Sequence, residues 1–160
     1  MGQTKSISII TCNADETFSL GHTIGEKLQS GDILALSGEL GSGKTCFTGG
    51  IARGLGVSEN YQITSPTFTL INEYPAKYPL FHFDVYRLND YSDLDDLGYE
   101  EVISGKGIVI IEWAEKIASV IPKWAFWVNF EYIDENKRKI TIKGPLDRMK
   151  EICKDIENGG

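Results

Sequence analysis

The sequence predicts an α/β domain built as a three-layer sandwich, with parallel strands at the centre of the sheet and antiparallel hairpins at its edges. Short apolar, β-branched runs alternate with amphipathic helical segments, a pattern typical of helices packed on a mostly parallel sheet. Two further pairs of strand-like runs are joined by short turn-rich loops, which predicts hairpins. The chain has 160 residues, 41% of them hydrophobic. We therefore expect one domain over residues 1–160 with a core of its own.

The first half of the chain reads as strand, helix, strand and helix. Asn13 or Asp15 can cap the first helix, and Leu20, Ile24 and Leu28 recur at four-residue spacing along it, as on the buried face of a helix. The predicted strands span 6–11 and 33–37, and the predicted helices run from 13 or 15 to about 29 and from 46 to 55.

The second half contains the two predicted hairpins and three helical segments. Their strands are predicted over 69–74 with 80–86, and over 125–132 with 139–143 around a turn at 134–136. Between the hairpins we predict an acidic helix over 89–101, an apolar strand over 108–111 and a short helix that ends at Pro122. A final helix is predicted over 146–156, and the tail from about 157 is expected to be disordered.

Residues 38–45 match the phosphate-binding pattern G-x-x-x-x-G-K-[ST]. The match lies between a predicted strand and a predicted helix, which is the context that the motif requires. Its glycines let backbone N–H groups surround a phosphate, and the helix N-terminus adds partial positive charge. Lys44 is expected to reach the β- and γ-phosphates, and the Thr45 hydroxyl to bind Mg²⁺. The predicted nucleotide-binding residues are Gly38, Glu39, Leu40, Gly41, Ser42, Gly43, Lys44 and Thr45.

Two acidic residues, Asp84 and Glu112, stand where predicted strands end. The carboxyl ends of parallel strands meet at one edge of a sheet, so both acids are expected to face the γ-phosphate. Magnesium usually takes one or two carboxylates together with phosphates and waters. We predict that Asp84 and Glu112 bind Mg²⁺ with Thr45 and act with Lys44 in catalysis. Alternatively, Asp84 pairs with Arg87 at the strand end, and Glu112 is an acid at a helix start.

Thr67 lies in the loop between the P-loop helix and the next strand, in the sequence Ser-Pro-Thr-Phe at 65–68. In P-loop switch proteins, this region contains a hydroxyl that senses the γ-phosphate and Mg²⁺. We therefore predict Thr67 as a fourth catalytic residue. The alternative is a proline turn that only precedes a strand.

The sequence favours adenine over guanine and hydrolysis over phosphate transfer. Residues 136–139 read Asn-Lys-Arg-Lys, with lysine where a guanine-binding N-K-x-D motif has aspartate. Residues 95–98 match the GTPase pattern D-x-x-G, but they lie in the acidic segment and not after an apolar strand. The four arginines are scattered, whereas a small-molecule kinase normally needs an arginine-rich lid. A kinase and a nucleotide-binding assembly module that never hydrolyses ATP remain as alternatives.

Charge and composition limit the partners that the chain can bind directly. Its formal net charge is −7, which disfavours direct binding of nucleic acid. The three cysteines form no C-x-x-C pair, as expected for reduced thiols in a cytosol. The N-terminus shows no signal-peptide pattern and no apolar run approaches a membrane span, so a cytoplasmic protein without a membrane partner is expected.

Taken together, four motifs resemble the TsaE family, the small bacterial ATPases of tRNA threonylcarbamoyladenosine synthesis. They are the P-loop at 38–45, Ser-Pro-Thr-Phe at 65–68, His-Phe-Asp-Val-Tyr-Arg-Leu at 82–88 and Ile-Glu-Trp at 111–113. The resemblance covers nearly the whole chain in order and spacing, and it implies a P-loop NTPase-like fold.

The resemblance implies an ATPase that uses ATP and Mg²⁺ and works with the TsaB and TsaD proteins. TsaD, with TsaB, transfers a threonylcarbamoyl group to an adenosine beside the tRNA anticodon, so tRNA is met only through the partners. ATP hydrolysis, stimulated by these partners, would support repeated turnover.

The resemblance also implies roles for individual residues. Thr45, Asp84 and Glu112 serve the Mg²⁺ site, and Thr67 belongs to a switch-like loop. Tyr86, Arg87 and Trp113 belong to the surrounding signature, and residues 11–14 and 136–138 flank the base. Cys46 departs from the threonine common at its position, which should leave phosphate binding unaltered.

Overall fold

The computed structural model describes residues 3–39, 43–64, 66, 71–88, 92–154 and 156. The strands are β1 (Thr4–Thr11), β2 (Ile33–Gly38), β3 (Ile71–Tyr74), β4 (Leu80–Asp84), β5 (Ile108–Glu112), β6 (Phe126–Tyr132) and β7 (Arg138–Pro145). The helices are α1 (Ala14–Gly25), α2 (Lys44–Gly54), α3 (Ser92–Asp96), α4 (Tyr99–Ile103) and α5 (Leu146–Ile152), and a 3₁₀ helix spans Ala114–Val120.

All seven strands form one sheet in the order β1-β7-β6-β2-β5-β4-β3. Its four central strands are parallel, because β2 runs parallel to β5 and β6, and β4 runs parallel to β5. At one edge β3 pairs antiparallel with β4, and at the other β7 and then β1 continue the sheet antiparallel to β6. The predicted fold class is thus confirmed, with each hairpin contributing one strand to the parallel centre.

Two hydrophobic layers cover the two faces of the sheet. Strands buried on both faces, such as β5, are continuously apolar until their last residue, as expected for the centre of a parallel sheet. On one face, α1, α2 and α5 pack through residues that include Leu20, Ile24, Phe47, Ile51, Met149 and Ile152. On the other, α3, α4 and the 3₁₀ helix pack through Leu94, Tyr99, Ile103 and Ile117.

Helices α1 and α2 touch backbone to backbone at glycines. A Cβ atom at Gly21 would lie 2.3 Å from the carbonyl oxygen of Phe47, and one at Gly50 would lie 2.1 Å from that of Phe18. Only glycine permits this approach. The close packing fixes the position of α2, and therefore of its first residue Lys44, relative to α1.

The observed elements differ from the predicted ones mainly at their ends. The single acidic helix predicted over 89–101 is wrong, because Gly98 has φ 74° and separates α3 from α4. Helix α1 ends at Gly25, four residues before its predicted end, where the backbone changes to three-residue hydrogen bonds from Lys27 to Ile24 and from Leu28 to Gly25. Helix α5 ends at Ile152, and the tail from 157 lies outside the described residues.

Among the described helices, none is long and apolar enough to cross a membrane. The longest of them, α1, has 12 residues, whereas a membrane span needs about 20 apolar residues.

Candidate nucleotide-binding site

The P-loop glycines that the structure describes both adopt left-handed backbone conformations. Gly38, the last residue of β2, has φ 137°, and Gly43, the residue before α2, has φ 103° and ψ 7°. Side chains disfavour this region, so the fixed glycines of the motif stand where the backbone requires them. Leu40, Gly41 and Ser42 lie outside the described residues. Helix α2 begins directly at Lys44, with its N-terminal N–H groups turned to the end of the sheet, which is a favourable place for an anion.

Lys44 is a buried cation with only 5% of its surface exposed. Its Nζ donates to the carbonyl oxygen of Gly38 at 2.6 Å and lies 3.4 Å from the centroid of the Trp113 ring. Burial lowers the pKa of Lys44, and the nearby charges of Glu115, Glu112 and Asp84 oppose this shift. The lysine is therefore held at the end of β2 by a neutral carbonyl, an aromatic face and surrounding acids.

Asp84 and Glu112 lie side by side at the carboxyl ends of adjacent strands. Asp84 pairs with Glu112 in the parallel ladder of β4 and β5, and Glu112 pairs with Leu36 near the end of β2. They are almost fully buried, with 5% and 2% exposure. The structure thus brings the two predicted acids together at the edge where Lys44 lies.

One of these acids faces the start of α2, and the other is bonded to the backbone that follows β4. The Thr45 hydroxyl, on the first turn of α2, lies 3.5 Å from Oε1 of Glu112. Oδ1 of Asp84 accepts a hydrogen bond from the Tyr86 N–H at 2.9 Å. Burial raises the pKa of Asp84, the bond from Tyr86 opposes this, and the charge of Glu112 raises it further.

Trp113 directly follows Glu112 and covers Lys44. It is the one residue other than glycine with positive φ (62°) among those the structure describes. This conformation is rare for a bulky side chain, and residues that adopt it cluster at functional sites. The strained turn places the indole between the Lys44 ammonium and the Tyr86 ring, whose centroid is 4.8 Å away. The signature residues Tyr86 and Trp113 therefore form an aromatic wall of the site.

Glu115 is a site residue that the sequence reasoning missed. Its Oε2 accepts a hydrogen bond from the Gly38 N–H at 3.3 Å. With Gly38, Glu39 and Trp113 it lines an open cavity of about 490 Å³ beside the end of β2, and residues 129–132 line it as well. The only signal in the sequence was that Glu115 lies three residues after Glu112, just beyond the end of the apolar strand.

A second, smaller cleft of about 120 Å³ lies on the opposite side of the P-loop. Ala14, Thr17, Gly43 and Cys46 line one wall, and Glu135, Asn136 and Arg138 of the β6–β7 turn line the other. The cleft therefore brings together the start of α1 and the hairpin turn, the two segments that the resemblance assigned to the base.

The structure bears differently on two further predictions, the role of Thr67 and the D-x-x-G match at 95–98. Thr67 lies outside the described residues, so its predicted role stays a prediction. The D-x-x-G match at 95–98 covers the end of α3 and the turn before α4 and does not follow a strand, which agrees with the expectation that it is not a GTPase motif.

A strand that leads through a loop bounded by left-handed glycines into a helix is the P-loop motif, and the parallel sheet around it makes this a P-loop NTPase fold. The fold is shared with the crystal structure of YdiB from Bacillus subtilis, at a TM-score of 0.79 and 32% sequence identity over 99% of each chain.

The family is identified by sequence comparison. The family model of the threonylcarbamoyl adenosine biosynthesis protein TsaE matches residues 11–140. The Treponema pallidum protein named tRNA threonylcarbamoyladenosine biosynthesis protein TsaE is 39% identical over 133 residues, which are 83% of this chain and 97% of that protein. The Bacillus subtilis protein of the same name is 36% identical over 153 residues, 95% of this chain and 94% of that one. The chain belongs to the TsaE family of tRNA threonylcarbamoyladenosine biosynthesis.

Proposed function

We propose that the protein is a Mg²⁺-dependent ATPase whose hydrolysis of ATP supports turnover of the threonylcarbamoyl transferase formed by the TsaB and TsaD proteins. The observation that carries the proposal is the meeting of Lys44, Thr45, Asp84 and Glu112 at one edge of the parallel sheet. A buried cation, a hydroxyl and two buried carboxylates at a helix N-terminus are the groups that phosphoryl transfer requires.

In this proposal residues 38–45 surround the phosphates of ATP. Lys44 moves from the Gly38 carbonyl and the Trp113 ring to the β- and γ-phosphates. Its positive charge is stabilised more by these anions than by a neutral carbonyl. The base enters the cleft between Cys46 and Asn136, which adjoins Gly43. Adenine is the proposed base because the aspartate that would bind guanine is a lysine in residues 136–139.

The donor set fits Mg²⁺. Thr45, Asp84 and Glu112 offer only oxygen atoms, and magnesium is a hard cation that takes one or two carboxylates with phosphates and waters. The described residues hold no cluster of three or more His, Cys, Asp or Glu side chains that would bind a metal alone, so phosphate oxygens would supply part of the coordination. When bound, Mg²⁺ neutralises charge that develops on the β- and γ-phosphate oxygens.

Hydrolysis needs a positioned water more than covalent chemistry. The water oxygen forms a bond to the γ-phosphorus, and the bond to the β–γ bridging oxygen breaks with its electron pair going to ADP. One water proton stays on the phosphate product and the other is released. Glu112 orients the water by accepting a hydrogen bond, Lys44 stabilises the charge on the phosphates, and Thr67 contributes a hydroxyl from the switch-like loop.

Partner stimulation is part of the proposal. The loop over 58–70 contains neither arginine nor lysine, so it supplies no cation of its own to the transition state. We therefore propose slow hydrolysis by the protein alone and faster hydrolysis with the TsaB–TsaD pair. The net charge of −7 fits a component that meets tRNA only through these partners.

The test is phosphate release from Mg²⁺-ATP in ¹⁸O-labelled water, with and without the TsaB–TsaD pair. The proposal expects one ¹⁸O atom in each phosphate released and a higher rate with the partners. Equal rates in both conditions contradict partner stimulation. Phosphate that appears only on an added acceptor indicates a kinase, and tight ATP binding without turnover indicates an assembly module.

A further inference from the structure

His82 is a buried polar residue of β4 that the proposed reaction does not use. It is fully buried, at 0% exposure, in a strand whose other residues before Asp84 are apolar. Side chains two residues apart share one face of a strand, so His82 and Asp84 point to the same side of the sheet. A polar ring at this depth requires a partner.

The partner of His82 is Glu112. Its Nε2 lies 2.5 Å from Oε2 of Glu112, between side chains that are 0% and 3% exposed. We assign the shared hydrogen to Nε2, because a carboxylate only accepts hydrogen bonds. The contact joins adjacent parallel strands, since His82 stands opposite Ile110 in the ladder.

The other ring nitrogen indicates which form the imidazole takes. Nδ1 is buried without a hydrogen-bond partner among the residues that the structure describes. A hydrogen on Nδ1 would be an unpaired buried donor, which is rarer in proteins than an acceptor left unpaired. The geometry therefore favours a hydrogen on Nε2, the ring nitrogen that faces Glu112.

The contact has a consequence for Glu112. With Oε2 bonded to His82, the second oxygen, Oε1, is the one that faces the Thr45 hydroxyl at the start of α2. A glutamate side chain has several rotatable bonds, and a hydrogen bond to one oxygen fixes the direction of the other. Residues that hold a metal-binding side chain in this way typically contribute about 10- to 100-fold in metal affinity or activity.

We propose that His82 is a positioning residue that orients the Glu112 carboxylate toward the nucleotide. The inference rests on the proposed ATPase function, and it assigns to the histidine of the His-Phe-Asp stretch a task distinct from those of Lys44, Asp84 and Glu112. In this role His82 acts through Glu112 and not on the nucleotide. Its effect on hydrolysis passes through one hydrogen bond.

The kinetic test compares His82→Leu with His82→Gln. Leucine removes the donor, whereas the glutamine Nε2 provides one at a similar reach. We expect kcat for ATP hydrolysis to fall about 10- to 100-fold in His82→Leu, with KM for ATP within about threefold of the parent value, because the phosphates are still bound. His82→Gln should recover most of the lost kcat.

His22→Leu is the matched control. His22 lies near the end of α1 with a side chain that is 43% exposed, and it pairs with Glu26, the residue after the helix. The parent kcat is expected for this variant. A parent-like kcat in His82→Leu, or a His82→Gln variant as slow as His82→Leu, overturns the positioning role.

The spectroscopic test uses the nucleotide-free parent protein and does not depend on activity. Long-range ¹H–¹⁵N spectra distinguish the two tautomers of histidine, and the chain has only two histidines, so His22→Leu assigns the signals. We expect the Nε2–H form for His82. An Nδ1–H form overturns the proposal even if the leucine variant does not fold. If the parent protein hydrolyses no ATP, the ATPase proposal fails instead, and the two failures are thereby told apart.

Discussion

Charged residues lie near both ends of strand β2, and they are paired differently at the two ends. At the amino end, Asp32 accepts hydrogen bonds from the Gln29 N–H and from the guanidinium of Arg148. At the carboxyl end, the acids Asp84, Glu112 and Glu115 surround a single lysine, Lys44, which donates to a neutral carbonyl.

At the amino end each charged group has a partner within the protein. At the carboxyl end we interpret the arrangement as a site for a ligand. The guanidinium of Arg148 binds Glu151 as well as Asp32 and lies over the Phe126 ring, so this contact ties α5 to the sheet. At the carboxyl end, three acids act on one ammonium group. Negative charge is in excess there, and a divalent cation with a polyphosphate would use both the acids and the lysine. We therefore expect changes at the amino end to affect stability and changes at the carboxyl end to affect activity.

The largest expected effect is that of Lys44→Met. Because the lysine would stabilise charge on the transferring phosphoryl group, its removal should lower ATP hydrolysis about 10³-fold. Phosphate release under saturating ATP measures this. Lys150→Met, on the exposed side of α5, is the control and should retain the parent rate. A Lys44→Met variant within about tenfold of the parent would remove Lys44 from the catalytic set.

The second prediction compares the replacement of an acid by its amide near the carboxyl end of β2, at Glu112, and near its amino end, at Asp32. Glu112→Gln should lower kcat about 10²-fold, because an amide orients water and metal poorly. ATP binding should persist, as measured by fluorescence titration. Asp32→Asn should leave kcat within about twofold of the parent. Equal losses in the two variants would mean that the sheet, not its carboxyl edge, limits activity.

The third prediction concerns stability at the amino end. Arg148→Met leaves the partly buried Asp32 carboxylate without its guanidinium and should lower the free energy of unfolding by about 2 kcal/mol. For a chain of this size we expect the melting temperature to fall by about 4–8 °C. Calorimetry measures the shift, with Lys150→Met as control. A variant as stable as the parent would show that α5 is held by apolar packing alone.

The smallest expected effect is the pH dependence of the free energy of unfolding that Arg148→Met loses. Burial raises the pKa of Asp32 although Arg148 and the Gln29 N–H act against it. The folded state thus holds this proton more tightly than the unfolded state, so stability from Asp32 falls as pH rises from the ordinary range of aspartate through the raised pKa. Removing Arg148 raises that pKa further and steepens the fall.

The deficit of Arg148→Met should therefore be largest near neutral pH and smaller at about pH 4, close to the ordinary pKa of aspartate, because protonated Asp32 no longer needs the guanidinium. Urea unfolding at the two pH values measures it. The double variant Asp32→Asn/Arg148→Met should show a weaker pH dependence. A deficit that is constant with pH would mean that the Arg148 contact is not electrostatic.

The sequence predicted those parts of the site that depend on local chemistry or on strand ends. Gly38 and Gly43 need left-handed backbone, so their positions follow from the motif itself. Asp84 and Glu112 were found because an acid that ends an apolar run in a parallel sheet must lie at the shared edge. The turn around Asp134, which accepts from the backbone N–H groups of Asn136 and Lys137, follows from aspartate's preference for such turns.

Features that depend on long-range register could not be predicted. The contact of His82 with Glu112 joins residues 30 positions apart, and the pairing of Asp32 with Arg148 spans 116 positions. In the sequence, Arg148 is only one of several scattered arginines. The break at Gly98 was missed because apolar spacing in the acidic segment outweighed a glycine signal. Leu40, Gly41, Ser42 and Thr67 remain predictions from the motifs.

The central claim is that the carboxyl edge of the sheet hydrolyses ATP, and a single-turnover experiment tests it most directly. The parent protein, Glu112→Gln and Asp32→Asn are each held in excess over Mg²⁺ and base-labelled ATP, and the bound nucleotide is identified over time. We predict ADP on the parent and on Asp32→Asn at similar rates, with ATP retained on Glu112→Gln. ATP that stays intact on the parent, or ADP that forms equally fast on Glu112→Gln, would contradict the account.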